Sequence, residues 1–363
     1  MSEPVMWRTP IGRAREKASK PIFRRHSPLA RTLSLCGVLS ILFIAIPAQA
    51  QNGAEPDVRY SIESQRAAST LLLDVTHAGN RLVAVGDRGH ILYSDDNGAS
   101  WLQAKVPTRQ LLTAVYFADD MHGWAVGHDA LILASADGGQ TWTQQYENRE
   151  GEVPLLDIWF EDTQHGLAIG AYGAFLETTD GGGHWEDVAD RLDNEDGTHL
   201  NAITEIPGSG LFMVGEMGGM FRSADMGETW ERVESPYQGS LFGAVGGREP
   251  GVVVAFGLRG HMFRSTDFGD SWEAVELLDE GQPIESGLAD GNLLSDGRIV
   301  VVGHGGTVLS SEDDGQTFSL FSRPDRRSLS GVALNPDGNL VLVGQSGARV
   351  VSSTGANLPV KQQ

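Results

Sequence analysis

Six aspartates, Asp96, Asp137, Asp180, Asp225, Asp267 and Asp313, each stand third in an octapeptide of one design. The copies are SDDNGASW at 94–101, SADGGQTW at 135–142, TTDGGGHW at 178–185, SADMGETW at 223–230, STDFGDSW at 265–272 and SEDDGQTF at 311–318. A repeated carboxylate could serve general acid–base chemistry, could ligate a metal, or could accept hydrogen bonds inside its own turn. Its neighbours favour the last. In the second copy Gly139 can take the positive φ of a tight turn, Ser135 and Thr141 bring hydroxyls, and Asp137 can accept from backbone N–H groups. Trp142 then opens an outer strand and can pack against a neighbouring unit. The six aspartates are therefore expected to be structural staples rather than catalytic groups.

A second recurring element is a Gly-x-x-Gly turn. Its variable residues are Asp87-Arg88, His128-Asp129, Ala171-Tyr172, Glu216-Met217, Leu258-Arg259, His304-Gly305 and Gln345-Ser346. Turn residues are polar by default, but loop tips on a rigid scaffold often carry recognition. The candidate partner-binding ring is Asp87, Arg88, His128, Tyr172, Glu216, Arg259 and His304. No catalytic, cofactor or metal residue is assigned. His128 and His304 are isolated histidines, and DRLDNEDG at 190–197 does not place oxygens at positions 1, 3 and 5 of a calcium loop. Two acidic stretches, 186–199 and 275–287, read as solvated connections and receive no role.

The elements that must position these residues follow from the spacing. The first residues of successive octapeptides lie 41, 43, 45, 42 and 46 apart, and one further step of 41 from Ser311 reaches Ser352. Within a unit, LLTAVYF, HGWAVG, ALILAS and WTQQYE are four short runs rich in β-formers, separated by turn residues. Four strands in a unit of about 40–45 residues, repeated seven times, make a seven-bladed β-propeller. Second strands such as 82–85, 252–256 and 299–302 are nearly continuous apolar runs, as expected of strands covered on both faces. The Gly-x-x-Gly turns should then lie on the face opposite the octapeptides. The seventh unit, 329–353, lacks the octapeptide and a fourth run. The strand-like VRYSIESQ at 58–65 is expected to pair beside 348–353 and close the ring, with 354–363 a short tail.

Residues 1–50 are a separate object. Eight Lys and Arg lie in the first 31 residues against Glu3 and Glu16, followed by the apolar LSLCGVLSILFIAIP at 33–47 and then Ala-Gln-Ala. This is the pattern of a cleaved secretory signal peptide, too short for a spanning helix of roughly 20 apolar residues. The expected mature chain, 51–363, is one exported propeller with no membrane span, periplasmic or otherwise extracytoplasmic. Cys36 is the only cysteine, so the mature chain has neither disulfide nor thiol chemistry. Loss of the leader takes the formal net charge from −21 to −27. Such a charge excludes nucleic acid as a partner and favours a partner with basic patches.

The stretch AVYFADDMHGWAVGHDALILASADGGQTW at 114–142 resembles the Asp-box, or bacterial neuraminidase repeat, propellers, and within them the photosystem II stability/assembly factor family. The resemblance runs over about 57–353, with GWAVG followed by DGGQTW as its most specific part. It implies a non-enzymatic scaffold. Plant and cyanobacterial members are lumenal and bind a photosystem II core subunit through a basic arginine surface. Exported bacterial relatives occur alongside envelope transporters. The implied partner is a protein in a membrane complex or transporter. The alternative is an Asp-box glycoside hydrolase, sialidase- or glucanase-like, or a carbohydrate-binding propeller. Sialidase chemistry needs an arginine cluster and a Tyr–Glu pair, and the Phe-Arg-Ile-Pro motif of that family is absent.

Overall fold

The computed structural model describes residues 58–359, so the leader lies outside the described residues. Six sheets of four antiparallel strands span 72–103, 112–146, 155–187, 200–232, 241–274 and 288–322, and a three-stranded sheet spans 329–351. These are blades one to seven of the expected propeller. Each blade's innermost strand packs against those of its two neighbours, and Leu72–Ala78 of blade one packs against Leu329–Leu334 of blade seven. The ring is thus closed.

The second strands are the core. Gly123–Gly127, Gly166–Gly170, Gly210–Gly215, Val253–Gly257, Ile299–Gly303 and Leu340–Gly344 are buried throughout. Their continuous apolar runs are what a strand sandwiched between two neighbouring blades requires. Between blades two and three, Trp124 stacks on Phe160 with ring centroids 3.5 Å apart. Burying one such side chain stabilises the fold by about 1.5–3 kcal/mol.

Every innermost strand carries a bulge at its second residue: Leu73, Thr113, Leu156, Asn201, Phe242, Ala289 or Ser330. A bulge re-aims side chains and sharpens the local twist. Here it lets either the bulged residue or the next one reach the following blade. Where the next residue is Asp, its carboxylate accepts a backbone N–H across the junction: Val115 to Asp74 at 2.8 Å, Ile203 to Asp157 at 2.9 Å, Val332 to Asp290 at 3.2 Å. Where the next residue is Ala or Gly, the bulged side chain donates instead to a backbone carbonyl: Thr113 to Leu155 at 2.8 Å, Asn201 to Leu241 at 2.7 Å, Ser330 to Leu72 at 2.7 Å. At the remaining junction, between blades five and six, the Phe256 ring fills the space beside Gly243 and Gly291.

Closure differs from the expectation in two ways. Residues 58–65 form no strand and do not run beside 348–353. They lie along blade one instead: Ser61 N–H donates to Val106 O at 2.9 Å, Ser64 N–H to the Gln103 amide oxygen at 2.9 Å, and Arg109 Nε to Tyr60 O at 2.8 Å. The stretch is the outermost layer of the first blade, held over the fourth strand Leu102–Gln103 and the segment that follows it. Blade seven is completed by the chain's own end. Residues 352–356 make a turn in which Ser352 N–H donates to Ala356 O, Gly355 N–H donates to Ser352 O and Ala356 N–H donates to Ser352 Oγ, and Asn357 pairs with Val351. Arg298 donates to Ser353 O at 2.8 Å. Arg323, only 2 % exposed, donates to Gly355 O at 2.5 Å and to Asn357 Oδ1 at 2.9 Å. A turn without the Asp can hold because two guanidinium groups satisfy its carbonyls.

Candidate functional site

The two ends of the disc are built differently. At one end lie the octapeptide turns, joined by the hairpins between first and second strands, as when Gly138 N–H donates to Met121 O at 3.0 Å. In the second copy Ser135 Oγ donates to Asp137 at 2.9 Å, Gln140 and Thr141 N–H donate to the same carboxylate oxygen at 3.0 and 2.9 Å, and Thr141 Oγ1 donates to the other at 2.6 Å. The remaining five copies repeat this network around Asp96, Asp180, Asp225, Asp267 and Asp313. The hydrogen bond from His184 holds the Asp180 carboxyl down at about 2. Carboxylates saturated in this way are poor bases and already committed acceptors. Gly139 takes φ +84°, and a Cβ there would press on Val83 of the preceding blade.

At the opposite end lie the Gly-x-x-Gly turns, together with the connections that carry the chain to the next blade. Gly173, Gly218 and Gly260 sit against Asn194, Tyr237 and Ile284 of those connections. In five turns a non-glycine residue adopts the left-handed conformation: Arg88 (φ 59°), Asp129 (62°), Tyr172 (57°), Met217 (52°) and Arg259 (57°). Each would be cheaper as glycine by roughly 1–2 kcal/mol. Tyr172 and Met217 are each 68 % exposed.

The ring residues expected from sequence all stand at this end, in the turns of blades one to six. Arg88 Nε lies 3.3 Å from Asp87. Tyr172 meets the edge of His199 with centroids 4.9 Å apart, and His199 Nδ1 lies 3.5 Å from Glu216, so blades three and four share one cluster. His128, Arg259 and His304 are exposed. No hydrogen bond or ion pair among the described residues joins them to other ring members. Between blades one and two a groove of about 820 Å³ is lined by Arg59, Arg109 and Arg149 with Glu147.

A third set was not foreseen. Asp74, Asp157 and Asp290 lie near the start of the innermost strands of blades one, three and six, each half-buried. Burial pushes Asp74 up to about 6 against the pull of the Val115 and Val75 N–H groups. Burial, opposed by Ile203 and reinforced by the charge of Asp74, pushes Asp157 up to about 7. Asp290 is raised by burial and by Asp74. A carboxyl in this range could act as a general acid. Here, however, both oxygens of Asp74 and of Asp157 accept backbone N–H groups, which makes them ties between blades. The signal was present in the sequence as Leu-x-Asp at 72–74, 155–157 and 288–290.

The profile of the family described as photosynthesis system II assembly factor YCF48 matches residues 99–155 and 147–355, most of the chain. The chain belongs to that family. The photosystem II assembly protein Ycf48 of Synechococcus sp. (strain JA-2-3B'a(2-13)) is 33 % identical over 150 residues, 38 % of this chain and 41 % of that protein. The chloroplastic photosystem II stability/assembly factor HCF136 of Cyanidioschyzon merolae (strain NIES-3377 / 10D) is 41 % identical over 61 residues, 16 % of this chain and 14 % of that protein. These matches span less than half the length of either relative. A solved structure described as YCF48 bound to D1 peptide superposes with TM-score 0.62 at 20 % identity, covering 81 % of this chain and 97 % of that one. At that identity the likeness is one of fold.

For the YCF48 family as represented here, the sequence features and the geometry divide the same way. The profile covers five of the six octapeptides whole and the last three residues of the first, and ends near residue 355, where the rebuilt turn of blade seven stands. Among the described residues no group of three His, Cys, Asp or Glu side chains is placed to hold a metal ion. No helix among them is long and apolar enough to cross a membrane.

Proposed function

We propose that this YCF48-family propeller is an exported, non-catalytic accessory factor that holds a protein of a membrane assembly or envelope transporter. The supporting observation is the end bearing the Gly-x-x-Gly turns. Six of the seven turns share one backbone, five of them hold a bulky or charged residue in a strained left-handed conformation, and their side chains differ from blade to blade. Strain kept at exposed, varied positions is the mark of a recognition surface rather than of a folding requirement. The contact ring is Asp87, Arg88, His128, Tyr172, Glu216, Arg259 and His304.

A relative's complex with a D1 peptide is consistent with a membrane-protein partner, and in a photosynthetic host the same reading makes the chain lumenal. The charge of −27 on the chain after residue 50 makes association with a basic surface fast and salt-sensitive. The test is affinity capture of the mature chain from envelope extracts. It should recover an integral membrane protein, and charge reversal at Arg88 and Arg259 should weaken capture while leaving the melting temperature unchanged. Hydrolysis of a sialoside or β-glucan by purified protein, with nothing captured, would overturn the reading.

A further inference from the structure

The turn-bearing end is not uniform around the ring. Over blades three to five it carries Tyr172, Met217, Leu258 and Leu278, four large apolar side chains left exposed. Aromatic pairs bridge two of the blade boundaries at this end. Tyr172 abuts His199 between blades three and four, and Tyr237 stacks on His261 at 4.3 Å between blades four and five. Exposed apolar side chains and aromatic pairs thus recur along this strip over three blades.

Both ends of the strip are acidic. The connection from blade three to blade four exposes Asp193, Glu195 and Asp196, and its shape is fixed by Asn194, whose side chain donates to Thr198 O at 3.0 Å and accepts Thr198 N–H at 3.1 Å. The connection from blade five to blade six folds into a small hairpin, Leu278–Asp279 against Gln282–Pro283, with Asp279 and Glu280 exposed. They belong to the two acidic stretches, 186–199 and 275–287, that read from sequence as solvated connections. The fold brings both to the same end of the disc, because connections between blades and turns between second and third strands emerge together.

Apolar anchors framed by carboxylates fit one occupant chemistry. We infer that blades three to five bind a partner-protein segment in which apolar side chains are flanked by lysine or arginine. Apolar residues supply the buried anchors and the flanking charges supply steering and register. The inference rests on the docking reading above and assigns the partner's chemistry at that site.

The probe is a fluorescein-labelled dodecapeptide with leucine, methionine and phenylalanine set among lysines. Two counterparts replace the lysines by glutamate, or the three apolar residues by serine. Fluorescence anisotropy should show the first binding and both counterparts weaker by about tenfold or more, the size of one lost hot spot. Tyr172→Ser with Met217→Ser should weaken the lysine peptide about tenfold, and Asp279→Lys with Glu280→Lys should weaken it and flatten its salt dependence. Met121→Ser, an exposed apolar residue at the opposite end, should change nothing. Equal binding of the glutamate or serine peptide, or unaltered binding by the Tyr172 and Met217 variants, overturns the assignment. Envelope capture separates the two levels. Capture that survives the Tyr172 and Met217 substitutions but falls with Arg88 and Arg259 sinks only this strip, whereas no capture at all sinks the docking reading itself.

Discussion

The two ends of the disc use repetition in opposite ways. At the Asp-box end both backbone and side chains repeat, and the same carboxylate network recurs six times. At the other end only the backbone repeats: the left-handed position is Arg, Asp, Tyr, Met, Arg and Gly in blades one to six. A side chain that recurs in every blade answers a need of every blade, which is to close a turn. One that changes from blade to blade at constant backbone answers something outside the fold. The Asp-box end should therefore govern stability, and the turn end should govern binding at little or negative benefit to stability.

The largest expected break of that contrast is Asp137→Ala. It leaves the Gln140 and Thr141 N–H groups and the Thr141 hydroxyl without their acceptor, and should cost about 1–3 kcal/mol. Denaturant unfolding measures the cost, and binding at low temperature should survive. Normal stability with lost function would reverse the roles of the two ends.

The innermost strands between the ends give the next effect, through pH. Asp74, Asp157 and Asp290 have folded values above the ordinary carboxylate range, so folding favours their protonated forms. The contribution of Asp74 and Asp157 is complete below about pH 4 and is lost as pH rises through about 6 to 7. Thermal stability should fall between pH 5 and pH 8, by about 1–2 kcal/mol for the half-buried Asp157, and Asp157→Asn should flatten that slope. The Asp-box carboxylates act in the other direction and in another window. Their folded values are lowered, so their contribution is present above the usual carboxylate range and is lost below it. A stability profile flat from pH 5 to 8 would remove the inner-strand aspartates from the account.

The smallest effect is the most specific. Met217→Gly relieves a left-handed side chain, partly offset by greater freedom of the unfolded chain, and should raise stability by about 0.5–1 kcal/mol while weakening partner binding. A destabilised variant would show that Met217 serves the fold.

Much of this was legible in the sequence because it repeats. Asp-box spacing gave the blade count, and the apolar second strands and the turn ring followed from it. What escaped was singular or long-range. No periodic signal links Arg323 to Gly355 and Asn357, so blade seven read as incomplete and residues 58–65 were assigned to the wrong blade. Asp74, Asp157 and Asp290 were overlooked because a carboxylate in an apolar strand makes sense only once the next blade's N–H groups face it. The acidic connections read as solvent-exposed filler until the topology set them beside Tyr172 and Met217.

Blade seven also bears on how the chain reaches its native state. A propeller that finishes its last blade with a strand borrowed from its beginning must keep that strand waiting until synthesis ends. Here every blade is one contiguous stretch of polypeptide, and 58–65 settles on the blade that follows it immediately. Each sheet can form as it emerges, resting on the one before, so early contacts join residues close in sequence and little loop entropy is lost at each step. Order of synthesis and order of assembly then coincide, and the meeting of Leu72–Ala78 with Leu329–Leu334 comes last.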